Sequence, residues 1–224
     1  MRTIIICFCV LLTSIAFAQN PRVKDVGNFT EVKVFDRMKV NLIKSNEDKV
    51  VLSGEDVDYI EVINKDGLLK IRMDFDKIFD GNKTFVEVHY TNLHVIDGNE
   101  GAEIVSNELI EQKKIIIRTQ EGAQVKAGLN VDNAEIRAVT GGIVDISGLA
   151  NVQKVEVNTG GIFDGKELKT KTTELRIQAG GEADIYATEL ADVKIRAGGD
   201  VNIYGNPKEV IKDNFIGGRI NVMR

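Results

Sequence analysis

A glycine pair that recurs at an almost constant interval is the strongest constraint on the fold of this chain. The pairs are separated by steps of 19, 20, 18 and 19 residues and lie at Gly141-Gly142, Gly160-Gly161, Gly180-Gly181, Gly198-Gly199 and Gly217-Gly218. Two weaker copies, Gly101-Ala102 and Gly122-Ala123, precede them at a similar spacing. Self-similarity at a fixed short period is typical of repeat proteins, in which each repeat packs on its neighbours.

Apolar and polar residues alternate on both sides of the glycine pairs, as at Leu175, Ile177 and Ala179. This period of two predicts β-strands with one buried face and one wet face. Leucine-rich repeats would need Leu and Asn at fixed places, and propeller blades would need about 40 residues each. We therefore predict an all-β fold, a parallel β-helix (β-solenoid) with coils of about 19 residues and glycines at the corner, where the chain bends sharply.

Equivalent residues of neighbouring coils stack at about 4.8 Å, so the inward positions should form apolar columns. The first predicted column contains Val125, Val144, Phe163, Ala183, Val201 and Ile220. The second contains Ala127, Ile146, Gly165, Ile185, Ile203 and Val222.

Residues 1–18 have the pattern of a cleaved signal peptide. Arg2 precedes an apolar run from Ile4 to Leu12, and Ala16-Phe17-Ala18 matches a cleavage site. We expect export to the periplasm, the cell surface or the extracellular space. The run is too short to span a membrane, and no second run predicts a membrane-spanning segment.

Residues 19–224 are predicted to form one domain. Over 19–95 the strands alternate but are less regular, and Asn64 to Gly67 predicts a hairpin turn between two of them. Over 96–224 the coils are regular. No Pro- or Ser-rich linker separates the two parts, which favours one domain over two.

Charge and cysteine content exclude several classes of function. The net charge of −5 becomes −6 without Arg2, and such acidity argues against nucleic acid and anionic membranes as partners. Cys7 and Cys9 both lie in the predicted signal peptide, so the mature chain would have no disulfide, thiolate metal site or thiol nucleophile. His89 and His94 are five residues apart and should face opposite sides of a strand. We predict no cofactor and no metal.

The chain resembles a known bacterial family. Its opening, "VGNFTEVKVFDRMKVNLIKSNEDKVVLSGEDVDYIEVINKDGLLKI", and its closing "GGDVNIYGNPKEV" and "GGRINV" are similar to the family described as "putative auto-transporter adhesin, head GIN domain". The YGNPK phrase, Tyr204 to Lys208, is the most specific part. The resemblance implies a right-handed parallel β-helix in an exported adhesin-like protein, and it supplies no catalytic residues.

Stacking would turn single outward residues into ladders. An acidic and amide ladder is predicted at Asp145, Asp164, Asp184, Asn202 and Asn221, and a mainly basic ladder at Arg118, Arg137, Glu156, Arg176 and Lys194. Neighbouring carboxylates repel each other, so the first ladder could hold Ca²⁺ or the hydroxyl and amine groups of a glycan. The alternative is that these are solvated strand positions with their charge offset by the basic ladder.

Tyr186 and Tyr204 occupy equivalent places in adjacent coils and should stack outward. Paired exposed aromatic rings suit a sugar ring or a protein partner, and Arg176 and Arg196 lie across the corner from them. A structural ladder that covers the strand edge is the alternative. The candidate binding residues are Tyr186, Tyr204, Arg176, Arg196, Asp145, Asp164, Asp184 and Asn202.

Three functions remain open at this stage. The first is a non-enzymatic exported module that binds a surface glycan or an envelope protein. The second is a polysaccharide lyase or glycosidase on the same scaffold, although coils of nearly constant length leave little material for the walls of a cleft. The third is a structural envelope component that forms homo-oligomers through its solenoid ends, because open ends expose unpaired strand edges.

Overall fold

The computed structural model describes residues 21–223, so the predicted signal peptide at 1–18 lies outside the described residues. The strands are β1 Arg22–Asp25, β2 Glu31–Val34, β3 Lys39–Lys44, β4 Lys49–Gly54, β5 Ile60–Lys65, β6 Leu68–Met73, β7 Thr84–Tyr90, β8 Val95–Gly98, β9 Glu103–Thr119, β10 Gln124–Val139, β11 Ile143–Asn158, β12 Gly161–Ile177, β13 Gly181–Tyr186, β14 Leu190–Ala197, β15 Asp200–Tyr204, β16 Glu209–Ile216 and β17 Arg219–Val222. Three short 3-10 helices lie at Val57–Tyr59, Phe75–Lys77 and Gly81–Lys83. No helix in this part of the chain is long and apolar enough to cross a membrane.

The C-terminal part is a β-solenoid of about seven turns, which confirms the predicted fold. From β9 to β12 each coil is one long bent strand, and every neighbouring pair is parallel. From β13 onward each coil is divided into two strands, with β13, β15 and β17 stacked on one side and β14 and β16 on the other. The apolar residues of the alternation point inward and form one continuous core.

The strand registers confirm the first predicted column from Val125 through Val144, Phe163, Ala183 and Val201 to Ile220. The second column agrees from Ala127 to Ile146 and again from Ile185 through Ile203 to Val222. Between its two halves the register shifts after Asp145, where β12 carries an extra residue, so Gly165 is not a regular rung.

The glycine corners differ in detail from the prediction. At the corner between β11 and β12, the two residues with left-handed backbone conformation are Thr159 and Gly160, with φ of 49° and 73°. Gly161 is the first residue of β12. In the next coil both Gly180 and Gly181 have positive φ. A residue with a Cβ therefore takes one of the left-handed positions in the earlier coils, Glu100, Glu121, Thr140 or Thr159, although this conformation costs such a residue some energy.

The N-terminal part is stacked in an order that differs from the order of the sequence. β2 lies between β6 and β8, and β3 lies between β7 and β9, all in parallel pairs. β4 pairs antiparallel with β1 and β7, and β5 forms the predicted hairpin with β6 through Asp66 and Gly67. These antiparallel strands extend the sheet at the N-terminal end of the solenoid.

Candidate binding surfaces

The acidic ladder is present in the predicted register, from Asp145 through Asp164, Asp184 and Asn202 to Asn221. Each carboxylate of the ladder has a hydrogen-bonding or charged partner, either within the ladder or beside it. Lys126 Nζ lies 2.7 Å from Asp145 and Lys166 Nζ 3.2 Å from Asp164, and these carboxylates raise the pKa of both lysines.

The remaining rungs use amides. Asn202 Nδ2 donates to Asp184 at 2.8 Å, and Asn221 Nδ2 donates to Asn202 Oδ1 at 3.0 Å. Carboxylates at 4.8 Å spacing therefore coexist because each has its own donor. Within residues 21–223 no three His, Asp or Glu side chains converge in a way that could hold a metal ion.

Tyr186 and Tyr204 are paired in register on the same outer face as the acidic ladder. Both are half-buried, and a Cβ added to Gly205 would lie only 2.6 Å from the Tyr186 ring, so that ring covers the backbone at Gly205. The pair thus offers an aromatic rung that is partly open to solvent, with Lys166 nearby.

Arg176 and Arg196 lie on β12 and β14, beyond the glycine corner from the tyrosines. Arg176 pairs with Glu174, and Arg196 Nη1 lies 3.7 Å from Asp213. The structure therefore divides the predicted residues between two outer faces of the coil, with both arginines on the second.

The second face carries two parallel ladders of charge. One is the predicted basic ladder, whose register is confirmed from Arg118 through Arg137, Glu156 and Arg176 to Lys194. The other lies two residues earlier on each strand; it begins at the apolar Ile116 and continues with the charged residues Glu135, Lys154, Glu174 and Asp192. This second ladder was not predicted, although the alternation along each strand places it two residues before the basic ladder.

Between the two ladders lies a shallow groove of about 400 Å³, here called the charged groove, with charged lining residues Arg118, Glu135, Arg137, Lys154, Glu156, Glu174 and Arg176. Its ion pairs are exposed, and they range from close pairs, Arg176 with Glu174 and Glu135 with Lys114 at 2.8 Å, to loose ones. Arg137 Nε is 3.7 Å from Glu156, and Arg118 Nη1 is 3.9 Å from Glu31. Exposed pairs of this kind contribute about 0–1 kcal/mol, so their groups can exchange partners for a ligand at little cost.

A third feature lies at the corner between β2 and β3. The buried Asp36 carboxylate accepts hydrogen bonds from the backbone of Met73 at 2.9 Å and Phe79 at 3.0 Å. Desolvation by burial, together with the nearby Asp36 carboxylate, raises the pKa of Glu100. The loop that Asp36 holds displays Phe75, which is 88% exposed, so this corner combines an apolar loop with a pair of acidic groups.

Comparison with known proteins gives a family and a fold. Residues 28–207 match the family described as "putative auto-transporter adhesin, head GIN domain". No curated protein matched the chain.

Several solved structures share the architecture. A "putative adhesin" of Bacteroides fragilis is 19% identical, covers 91% of this chain and 96% of its own, and has a TM-score of 0.84. A "putative lipid binding protein" of Parabacteroides distasonis is 16% identical with the same coverages and a TM-score of 0.72. A "putative adhesin" of Parabacteroides merdae is 14% identical, covers 91% and 95%, and has a TM-score of 0.69. At these identities the likeness shows the fold.

Proposed function

Because the chain belongs to the "putative auto-transporter adhesin, head GIN domain" family, we propose that it is an exported, non-enzymatic binding module. Its ligand is a surface glycan or an envelope protein, held along the outer faces of the solenoid. Stacked coils repeat each contact at about 4.8 Å, so an extended ligand gains affinity by engaging several weak sites at once.

The observation that carries this proposal is the charged groove. It crosses four neighbouring coils, from β9 to β12, and it presents arginine, lysine and glutamate side chains in two adjacent ladders of the sheet. Arginine forks and carboxylate oxygens donate and accept hydrogen bonds at fixed spacing, as the hydroxyl groups of a glycan require. Tyr186 and Tyr204 provide an aromatic rung on the other face for a sugar ring or a protein side chain.

The shape of the coils supports binding over catalysis. The turn between β10 and β11 contains only residues 140–142, and the turn between β11 and β12 only 159–160. Such short corners provide no walls for the deep cleft that a polysaccharide lyase or glycosidase would need around its carboxylates.

The test is a glycan-array and polysaccharide screen with the chain from Gln19 onward. Three double variants accompany it: Arg137→Ala/Arg176→Ala in the charged groove, Tyr186→Ala/Tyr204→Ala on the other face, and Arg22→Ala/Lys65→Ala at the N-terminal end as the control for lost charge. We expect binding that is weakened by the groove or tyrosine variant and kept by the control. Binding that survives both site variants would exclude these faces, and release of new sugar ends from a bound polymer would favour the enzyme alternative.

A further inference from the structure

A second groove lies on the opposite corner of the coils, away from the glycine pairs. Buried and exposed residues alternate along β10 except at Asp132 and Asn133, which are both exposed. The strand bends at these two residues. Along this bend runs a groove of about 390 Å³, here called the corner groove, whose outward lining residues include Asn130, Asp132, Leu149, Asn151, Lys169 and Lys171.

The corner groove contains two lysines without a carboxylate partner in the described part of the chain. Lys114, Lys126 and Lys166 each have a carboxylate within 3.2 Å. Within residues 21–223, Lys169 and Lys171 have no carboxylate oxygen within 4.0 Å, and Asp132 is the only acidic residue of the lining. Counted over its lining residues alone, two lysines against Asp132, the groove has one net positive charge in a chain whose net charge is −5, with Glu111 bonded to Asn130 at its edge.

The amides of the groove are oriented by their neighbours. Asn151 Nδ2 donates to Asp132 Oδ1 at 2.9 Å, and Asn130 Nδ2 donates to Glu111 Oε1 at 3.3 Å. These bonds use N–H groups and leave the amide carbonyl oxygens as acceptors for hydroxyl groups. Leu149, 54% exposed, stands between Asn130 and Lys169 in the strand register and offers an apolar contact.

The floor of the corner groove is rigid. Thr170 is 2% exposed, and its hydroxyl is tied to the Tyr186 carbonyl oxygen and, at 2.8 Å, to the Thr173 hydroxyl. The Thr188 hydroxyl donates to the Thr170 carbonyl oxygen at 3.2 Å. A floor fixed by buried hydrogen bonds holds the outward lysines and amides at set positions, which reduces the entropy that a ligand must overcome.

We propose that the corner groove binds an acidic polysaccharide. Lys169 and Lys171 meet the sugar carboxylates, Asn130, Asp132 and Asn151 bond its hydroxyl groups, and Leu149 contacts the C–H face of a ring. This inference rests on the proposed function for the class of ligand. It places the acidic groups of that ligand at the corner groove, which is separate from the charged groove and from the tyrosine pair.

The experiment is titration calorimetry of the chain from Gln19 onward with polygalacturonate, with dextran as the neutral polymer and inorganic polyphosphate as the non-sugar polyanion. We expect polygalacturonate to bind, dextran to bind much more weakly, and added salt to weaken binding. Lys169→Ala/Lys171→Ala should bind polygalacturonate about tenfold more weakly, since two charge-assisted contacts are lost. Lys169→Arg/Lys171→Arg should retain binding, and Arg22→Ala/Lys65→Ala is the control that removes two charges elsewhere.

Several results would overturn the inference. The inference fails if polygalacturonate does not bind, or if dextran or polyphosphate binds as tightly as polygalacturonate. It also fails if the Lys169→Ala/Lys171→Ala variant binds polygalacturonate with the same affinity as the Arg22→Ala/Lys65→Ala control. Urea unfolding midpoints matched to the parent show that any loss is not a folding defect. The proposed function is judged separately by the charged-groove and tyrosine variants, so the failure of one proposal is distinguishable from the failure of the other.

Discussion

The two glycines of one corner perform different tasks. Gly160 has φ of 73°, and a Cβ added there would meet nothing within 4 Å. A Cβ added to Gly161 would instead overlap the carbonyl oxygen of Ala138 in the preceding coil. The first glycine is thus needed for its backbone conformation, and the second for the close approach of two coils.

This difference predicts unequal costs for two neighbouring substitutions. Gly160→Ala should lower the free energy of unfolding by about 1–2 kcal/mol, the cost of a left-handed alanine. Gly161→Ala should lower it by more than about 3 kcal/mol, because two backbones must separate to relieve the overlap. Urea unfolding followed by circular dichroism measures both, and equal losses would contradict the assignment of roles.

The raised pKa of Glu100 predicts a stability that depends on pH. A carboxyl group with a higher pKa in the folded state adds stability that is complete below its unfolded pKa and is lost as pH rises through its folded pKa. In the Glu100→Gln variant the side chain at this position is uncharged at every pH. The variant's unfolding free energy should therefore rise relative to the parent protein as the pH increases from about 4 to about 7.

Urea titrations at several pH values give that difference directly. Glu209→Gln, at an exposed position on β16, is the control. A difference for Glu100→Gln that is constant or shrinks as pH rises would show that Asp36 and burial do not penalise the charged form of Glu100.

At the level of the strand, the bulge in β12 shows how the core adapts to a coil one residue longer than its neighbour. The Phe163 side chain is 1% exposed and fills the space beside Gly165, where an added Cβ would overlap the aromatic ring. The large Phe163 side chain in the first column therefore occupies the space that a side chain at position 165 would need. This balance keeps the interior close-packed where the register shifts after Asp145.

The balance predicts coupling between two positions. Gly165→Ala should cost about 1–3 kcal/mol in the parent protein through overpacking. It should cost less in a Phe163→Leu background, since leucine lacks the ring atoms that the new methyl group meets. A double-mutant cycle in urea measures the coupling, with Gly128→Ala as the control because its Cβ would touch the end of the flexible Leu109 at 3.3 Å. Equal losses in both backgrounds would show that the ring does not set the limit.

The regular coils could be predicted from sequence because one spacing fixes both the elements and their partners. Once Val125 is aligned with Val144, every other outward and inward residue of the two coils is aligned as well. The N-terminal strands gave no such information, since alternation identifies β2 and β3 but not that β6 and β8 lie on either side of β2.

The candidate sites were predictable to a smaller extent. The acidic and basic ladders follow from the spacing, as does the tyrosine pair. The corner groove does not, because it depends on where each coil bends and on which lysines lack a carboxylate partner. Lys166 pairs with Asp164, whereas Lys169 lines the corner groove without a carboxylate partner among residues 21–223. No pattern in the sequence distinguishes these two lysines.

At the scale of the molecule, the two ends of the solenoid are finished differently. The N-terminal end finishes in the antiparallel strands β1 and β5, each paired on one side, whereas β16 and β17 form the last described coil in parallel pairing and leave an outer strand edge. In that coil two inward columns of β14 end in polar residues of β16, whereas the columns of β15 end in Ile220 and Val222 of β17. Lys212 follows Val193 and Asn214 follows Ile195 in register.

These two side chains turn toward the neighbouring backbone. Lys212 Nζ donates to the Ile220 carbonyl oxygen at 3.3 Å, and Asn214 Nδ2 donates to that of Gly218 at 3.1 Å. Polar residues in inward positions at an open edge make stacking of a second solenoid unfavourable, because their hydrogen-bonding groups would be buried at the junction. The homo-oligomer expected from the sequence therefore stays a prediction, and Lys212 and Asn214 oppose it at the last described coil.

Removing that obstacle should increase self-association through the end of the solenoid. Lys212→Val/Asn214→Val would continue the apolar columns of Val193 and Ile195 to the open edge, beside the exposed Ile216. We expect a larger associated fraction than in the parent protein at equal concentration, measured by sedimentation velocity over a dilution series. Lys113→Val/Asn133→Val makes the same replacements at exposed positions in the middle of the solenoid and controls for added surface hydrophobicity. Association that rises equally in both variants, or in neither, would mean that Lys212 and Asn214 do not protect the end from pairing.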